Sequence, residues 1–141
     1  MTFKNRTLNA FALVLLAAAA QAGESSHQRV AWSTLAQVKE SPGKSIEFSG
    51  EVAALDRKRV AIQGFRIPLE VKTHFLVAAK PSDCEHCIEG GPESYVEVFS
   101  KEPVKATFGR PLTVTGKLEL VRNSPSGSYY RLTEAEFVLV D

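Results

Sequence analysis

The segment from Leu112 to Leu120 constrains the fold of this chain more than any other. Leu112, Val114, Gly116, Leu118 and Leu120 alternate with Thr113, Thr115, Lys117 and Glu119. A period of two sends successive side chains to opposite faces, which marks a strand with one face in a core and one in water. The pattern recurs. Phe48, Gly50, Val52 and Ala54 alternate with Glu47, Ser49 and Glu51, and Phe65, Ile67, Leu69 and Val71 alternate with Arg66, Pro68, Glu70 and Lys72.

Between these runs lie Val60 and Ile62, a return strand after the tight turn Asp56-Arg57-Lys58 and ended by Gly64. Pro68 has no N–H for a ladder bond, so its segment is expected at an edge or a bulge. Phe75-Leu76-Val77-Ala78-Ala79 is apolar throughout and reads as a buried strand, and Tyr95 to Phe99 is another. A final strand is expected from about Tyr129 to Val140, with a phase change at Thr133-Glu134 that suggests a bulge. Asn123-Ser124-Pro125-Ser126-Gly127-Ser128 forms the hairpin loop before it. Ahead of all the strands, Ser33 or Thr34 can cap a helix of two or three turns, with Leu35 and Val38 on one face and Trp32 pinning it to the body. The expected fold is all-β with a short N-terminal helix, a small OB-like antiparallel β-barrel, with a β-sandwich as the alternative.

Residues 1–22 read as an address label. Lys4 and Arg6 precede an apolar run that begins at Leu8 and continues through Ala20, and Ala20-Gln21-Ala22 supplies the small residues of a cleavage site. This is the pattern of a secretory signal peptide cut after Ala22, and it implies a periplasmic protein. The run is short for a bilayer span, and no later stretch resembles a transmembrane helix. Residues 23–30 read as a flexible arm, and 31–141 as one domain.

The full chain carries 17 Lys plus Arg and 16 Asp plus Glu. Cleavage would remove Lys4 and Arg6 and no acid, leaving 15 against 16, a net charge of −1. Such a balance gives nucleic acid no electrostatic footing, although Asp56-Arg57-Lys58-Arg59 is a basic turn. No Ser/His/Asp order, carboxylate pair or phosphate loop points to an enzyme.

Chemistry concentrates in Asp83-Cys84-Glu85-His86-Cys87, which holds both cysteines of the chain. Three readings compete. Cys84 and Cys87 as thiolates with His86 as a nitrogen donor form a soft set for Zn²⁺ or Cu(I), with Asp83, Glu85, His74 or His27 available as a fourth ligand. In an oxidising compartment the same cysteines close a disulfide that staples the loop. A redox dithiol has the right spacing, but Ile88-Glu89-Gly90-Gly91-Pro92 cannot propagate the helix that would stabilise its thiolate. His74 is expected at the surface, sharing a polar face with Arg66 and Lys72.

Phe65-Arg66-Ile67-Pro68-Leu69-Glu70, Phe75-Leu76-Val77 and Cys84-Glu85-His86, in that order, resemble a bacterial family of exported domains of unknown function. Members show a strand ending in Pro-Leu-Glu, a Phe-Leu-Leu-Val strand, and a Cys-x-His followed by a proline-rich loop. The resemblance spans residues 32–140. Here Ile88-Glu89-Gly90-Gly91-Pro92 replaces the proline run, and Cys87 adds a second thiol. Some members lie beside ABC transporter and metal-responsive genes. The resemblance therefore implies a periplasmic accessory protein for zinc or copper, working with inner-membrane transporter components. The alternative is a non-catalytic interaction module with a Cys84–Cys87 staple, and a thiol–disulfide redox protein comes third.

Overall fold

In a computed structural model the described residues are 27–43, 45–105 and 108–140. The expected signal peptide lies outside them. The elements in chain order are β1 (Gln28–Arg29), α1 (Trp32–Leu35), β2 (Val38–Lys39), β3 (Glu47–Phe48), α2 (Gly50–Ala53), β4 (Arg59–Pro68), β5 (His74–Ala78), β6 (Tyr95–Ser100), β7 (Pro111–Leu120) and β8 (Tyr130–Leu139). A 3₁₀ turn at Pro92–Ser94 precedes β6.

Five strands close into a barrel. β4 pairs antiparallel with β5, β5 with β6, and β7 with both β8 and β4, while β6 and β8 run parallel. The ring order β4-β5-β6-β8-β7-β4 is that of an OB-type barrel, and closure rules out the sandwich. The parallel β6·β8 seam departs from the expected all-antiparallel barrel. It arises because β8, after its hairpin with β7, must lie on the one edge of β6 that remains open.

Alternation in β7 is as expected. Leu112, Val114 and Leu118 are fully buried. They join Val60 and Ile62 from β4, Phe75 and Val77 from β5, Val96 and Val98 from β6, and Tyr130 and Leu132 from β8 in a single core. Leu35, Val52 and Leu55, from and beside the two helical turns, extend that core. The bulge expected near Thr133-Glu134 is present. Glu134 takes a φ of 50°, and the β7·β8 register shifts between Thr115 and Lys117. Gly116 sits opposite, where a Cβ would fall 2.9 Å from the Thr133 carbonyl oxygen.

The structure corrects four expectations. The N-terminal helix is a single turn, because the chain turns extended at Val38 to pair with Phe48. The strand expected over residues 46–54 is only β3, followed by α2, whose first turn is capped by Ser49 Oγ accepting from the Val52 N–H at 3.2 Å. Gly64 does not break β4. The strand continues through it, since Gly64 packs where a Cβ would lie 2.4 Å from the Ala78 carbonyl oxygen. The end of the arm at 23–30 is also docked: β1 lies parallel to β4, and the Val30 N–H donates to the Ala61 carbonyl at 3.0 Å. Trp32 does pin the first turn, with its indole N–H donating to the Gln63 carbonyl at 2.8 Å.

Candidate functional site

The loop of residues 79–94 leaves β5 and returns to β6, and its base is tied by the Ala79 N–H donating to the Ser94 carbonyl at 2.9 Å. Cys84 and Cys87 are joined by a disulfide, with Cα atoms 5.3 Å apart. The ring is tightened by two further bonds. The Cys87 N–H donates to the Cys84 carbonyl, and the Cys84 N–H to Ser82 Oγ, each at 3.3 Å. Every residue from 83 to 90 is exposed, so Asp83, Glu85 and His86 all face water. No α-helix starts at either cysteine, and the next regular turn is the 3₁₀ turn at Pro92–Ser94. The helix dipole that lowers a redox thiol's pKa is therefore missing here.

Among the described residues no three His, Cys, Asp or Glu side chains converge as a metal site. With the cysteines paired, the loop offers His86 and the carboxylates of Asp83, Glu85, Glu89 and Glu93 but no thiolate. Reduction would restore two sulfur donors. Two thiolates on one tetrahedral Zn²⁺ stand about 3.7 Å apart, a span that cysteines with neighbouring backbones reach.

His74 is engaged elsewhere. At the start of β5 its Nε2 lies 2.9 Å from Glu97 Oε1, and its ring stacks on Phe99 with centroids 4.3 Å apart. Arg66 and His74 do not share a face. Pro68 pairs with Phe75 and Arg66 with Val77, so even-numbered residues of β4 face the same side as odd-numbered residues of β5. The intervening turn reverses the parity on which the expectation rested. Arg66 instead lies over the Phe75 ring at 5.7 Å, and its buried Nε has no partner among the described residues. Burial lowers its pKa, and the Glu85 carboxylate acts in the opposite direction.

The most organised polar cluster is one that sequence reasoning missed. Glu97, on β6, is only 4% exposed although it points outward from the barrel. It accepts from His74, from Arg131 Nε at 3.3 Å and Nη2 at 3.1 Å, and from Ser124 Oγ at 3.3 Å. Burial alone would raise its pKa. Hydrogen bonds from His74 and Arg131, together with Arg131's charge, outweigh that and hold the carboxyl below the usual range. An ionised Glu97 can only accept, so His74 Nε2 carries the proton of their bond. A lone charge inside the apolar run from Tyr95 to Phe99 was the available signal. Tyr129 and Tyr130 are both buried.

This barrel resembles a crystal structure of a DUF3299 family protein from Pseudomonas aeruginosa. The TM-score is 0.64 and the identity 18%, over 82% of this chain and 97% of that one. The likeness establishes the fold. It also agrees, at that coarse level, with the resemblance to a family of domains of unknown function. No family model matches the sequence, and no curated protein matches it either. No helix among the described residues is long and apolar enough to cross a membrane.

Proposed function

We propose that the chain is an exported, non-catalytic interaction module whose stapled loop meets a partner at the inner membrane, such as a transporter component. The observation that carries this reading is the Cys84–Cys87 disulfide on a loop whose residues 83–90 are all exposed. An exposed, solvated loop suits recognition. A catalytic centre instead needs a cleft that excludes water and converging groups with shifted pKa values. The staple removes conformational freedom from the loop before it binds, which reduces the ordering cost of association.

A second reading has its own support. The two cysteines, three positions apart and flanking His86, would make a zinc or copper site if the loop were kept reduced, and the protein would then be a metal-handling accessory. One experiment separates the readings: a thiol count with metal analysis on protein purified from the periplasm without chelator. No free thiol and no metal supports the stapled module. Two thiols and about one equivalent of Zn²⁺ or Cu⁺ would replace it with the metal centre, since ligand thiolates must stay reduced. Protein absent from the periplasm would remove both.

A further inference from the structure

A cleft lies away from the cysteine loop's tip, on the outer surface where β1, β4 and β7 meet. Its volume is about 590 Å³, within the range of small-molecule sites. Trp32, Ala61, Phe65, Ala79 and Pro111 give it apolar walls. Gly64 lies in its floor, and Trp32 crosses beside it, close enough that a Cβ on Gly64 would sit 3.1 Å from the indole edge. The cleft therefore has a fixed aromatic wall, held by the Trp32–Gln63 hydrogen bond.

Arg29 is the only charged side chain among the described residues lining the cleft, and no Asp or Glu faces it. Arg29 makes no ion pair among the described residues. Two other potential donors, the Gln63 amide and the Thr113 hydroxyl, line the same cleft. Neither side chain is hydrogen-bonded to the protein among the described residues. Val138, 68% exposed, pairs with Thr113 across β7 and β8.

We infer that this cleft binds a single-headed anionic amphiphile, an unbranched apolar tail bearing one carboxylate. The tail lies against Trp32, Phe65 and Pro111, and the carboxylate meets Arg29, Gln63 and Thr113. A cationic ligand would find no counter-charge, and a wholly polar one would leave the aromatic wall unused. The inference is independent of the loop's redox state, although Ala79 links the cleft to the base of that loop.

Trp32 is the only tryptophan of the chain, so its fluorescence reports on this cleft alone. The probe is ω-bromoundecanoate below its micellar concentration, whose bromine quenches an indole it touches. Saturable quenching is expected, with dodecyltrimethylammonium neither quenching nor competing. Arg29→Gln should weaken binding on the order of tenfold, the worth of one charge-assisted hydrogen bond. Ala61→Phe should block the cleft, and unchanged circular dichroism would show the barrel intact. Should Ala61→Phe not fold, competition on the unaltered protein takes its place: undecanoate should displace the bromo acid and restore the fluorescence. No quenching, no displacement by undecanoate, equal affinity for the ammonium amphiphile, or indifference to Arg29→Gln would overturn the inference.

Discussion

Replacing Glu97 by glutamine tests whether the outward-facing network holds the barrel's seam together. Glu97 joins β6 to β5 through His74, to β8 through Arg131, and to the β7–β8 loop through Ser124. The substitution keeps the shape but removes the charge, and its amide turns a donor toward one of three existing donors. A hydrogen bond to a charged group contributes about 1.5–3 kcal/mol, and an unpaired buried charge costs more. His74 and Arg131 are 29% and 28% exposed, so water can rehydrate them in part. A loss of about 2 kcal/mol follows, or a fall in Tm of roughly 5–10 °C for a domain of this size.

The pH dependence carries the sharper test. The folded carboxyl has a lowered pKa, so Glu97 contributes stability that is fully present above its unfolded value near 4.5. That contribution disappears as pH falls through the lower, folded value. Urea titrations at pH 7, 5, 4 and 3 should show the wild type losing its advantage over Glu97→Gln below pH 4.5. A double-mutant cycle with Arg131→Met then isolates the pair. A difference under about 0.5 kcal/mol at pH 7, or one that does not change down to pH 3, would refute the reasoning.

Other outcomes follow from the same structure. Replacing Cys84 and Cys87 together by serine opens a four-residue ring, whose closure is worth no more than about 2 kcal/mol. The barrel's circular dichroism should survive, and a lost fold would show that the loop supports the core. Gly64→Ala forces a Cβ to within 2.4 Å of the Ala78 carbonyl oxygen and 2.7 Å of Val77 Cγ1, so β4 and β5 must part. A loss of about 3 kcal/mol in chemical denaturation is expected. Arg66→Met removes a buried N–H without a described partner, and equilibrium unfolding should show it neutral or stabilising. The Tyr129 phenol is pushed up to about 12 by burial and by its bond to Glu40. Ultraviolet titration of the folded protein should find it still neutral at pH 11, and its contribution to stability, complete below about pH 10, disappears as pH rises through 12.

β7 was legible because it repeats a two-residue period from Leu112 to Leu120 against one core. β4, in contrast, read as two strands because the apolar parity changes at Gly64, and Ile67 joins a second cluster with Leu76, Ala78 and Tyr95. Residues 46–54 misled for a physical reason. A one-turn helix is too short to show its own period, and Ser49's side-chain cap at 3.2 Å decides the conformation where Gly50, Val52 and Ala54 fit either. The face of His74 was misread because the turn after Pro68 changes parity, which local alternation cannot register. Glu97's partners, 23 and 34 residues away, come together only through barrel closure. Spacing put Cys84 and Cys87 within reach of each other but left a metal site, a disulfide and a redox dithiol all open, because the three need the same two sulfurs; the disulfide comes from the structure.

The parallel seam also orders events in time. β8 must complete two ladders, to β6 and β7, before the last open edges of the ring are covered, and Glu97 and Arg131 across that seam are 34 residues apart. Closing so long a loop comes before the contacts that repay it, which places the chain among the slow, non-local folders, in the millisecond-to-second range. Until then the edges of β6 and β7 are unpaired and can accept a strand from another molecule. The yield of native chain then depends on its concentration while it folds as well as on the stability of the finished barrel.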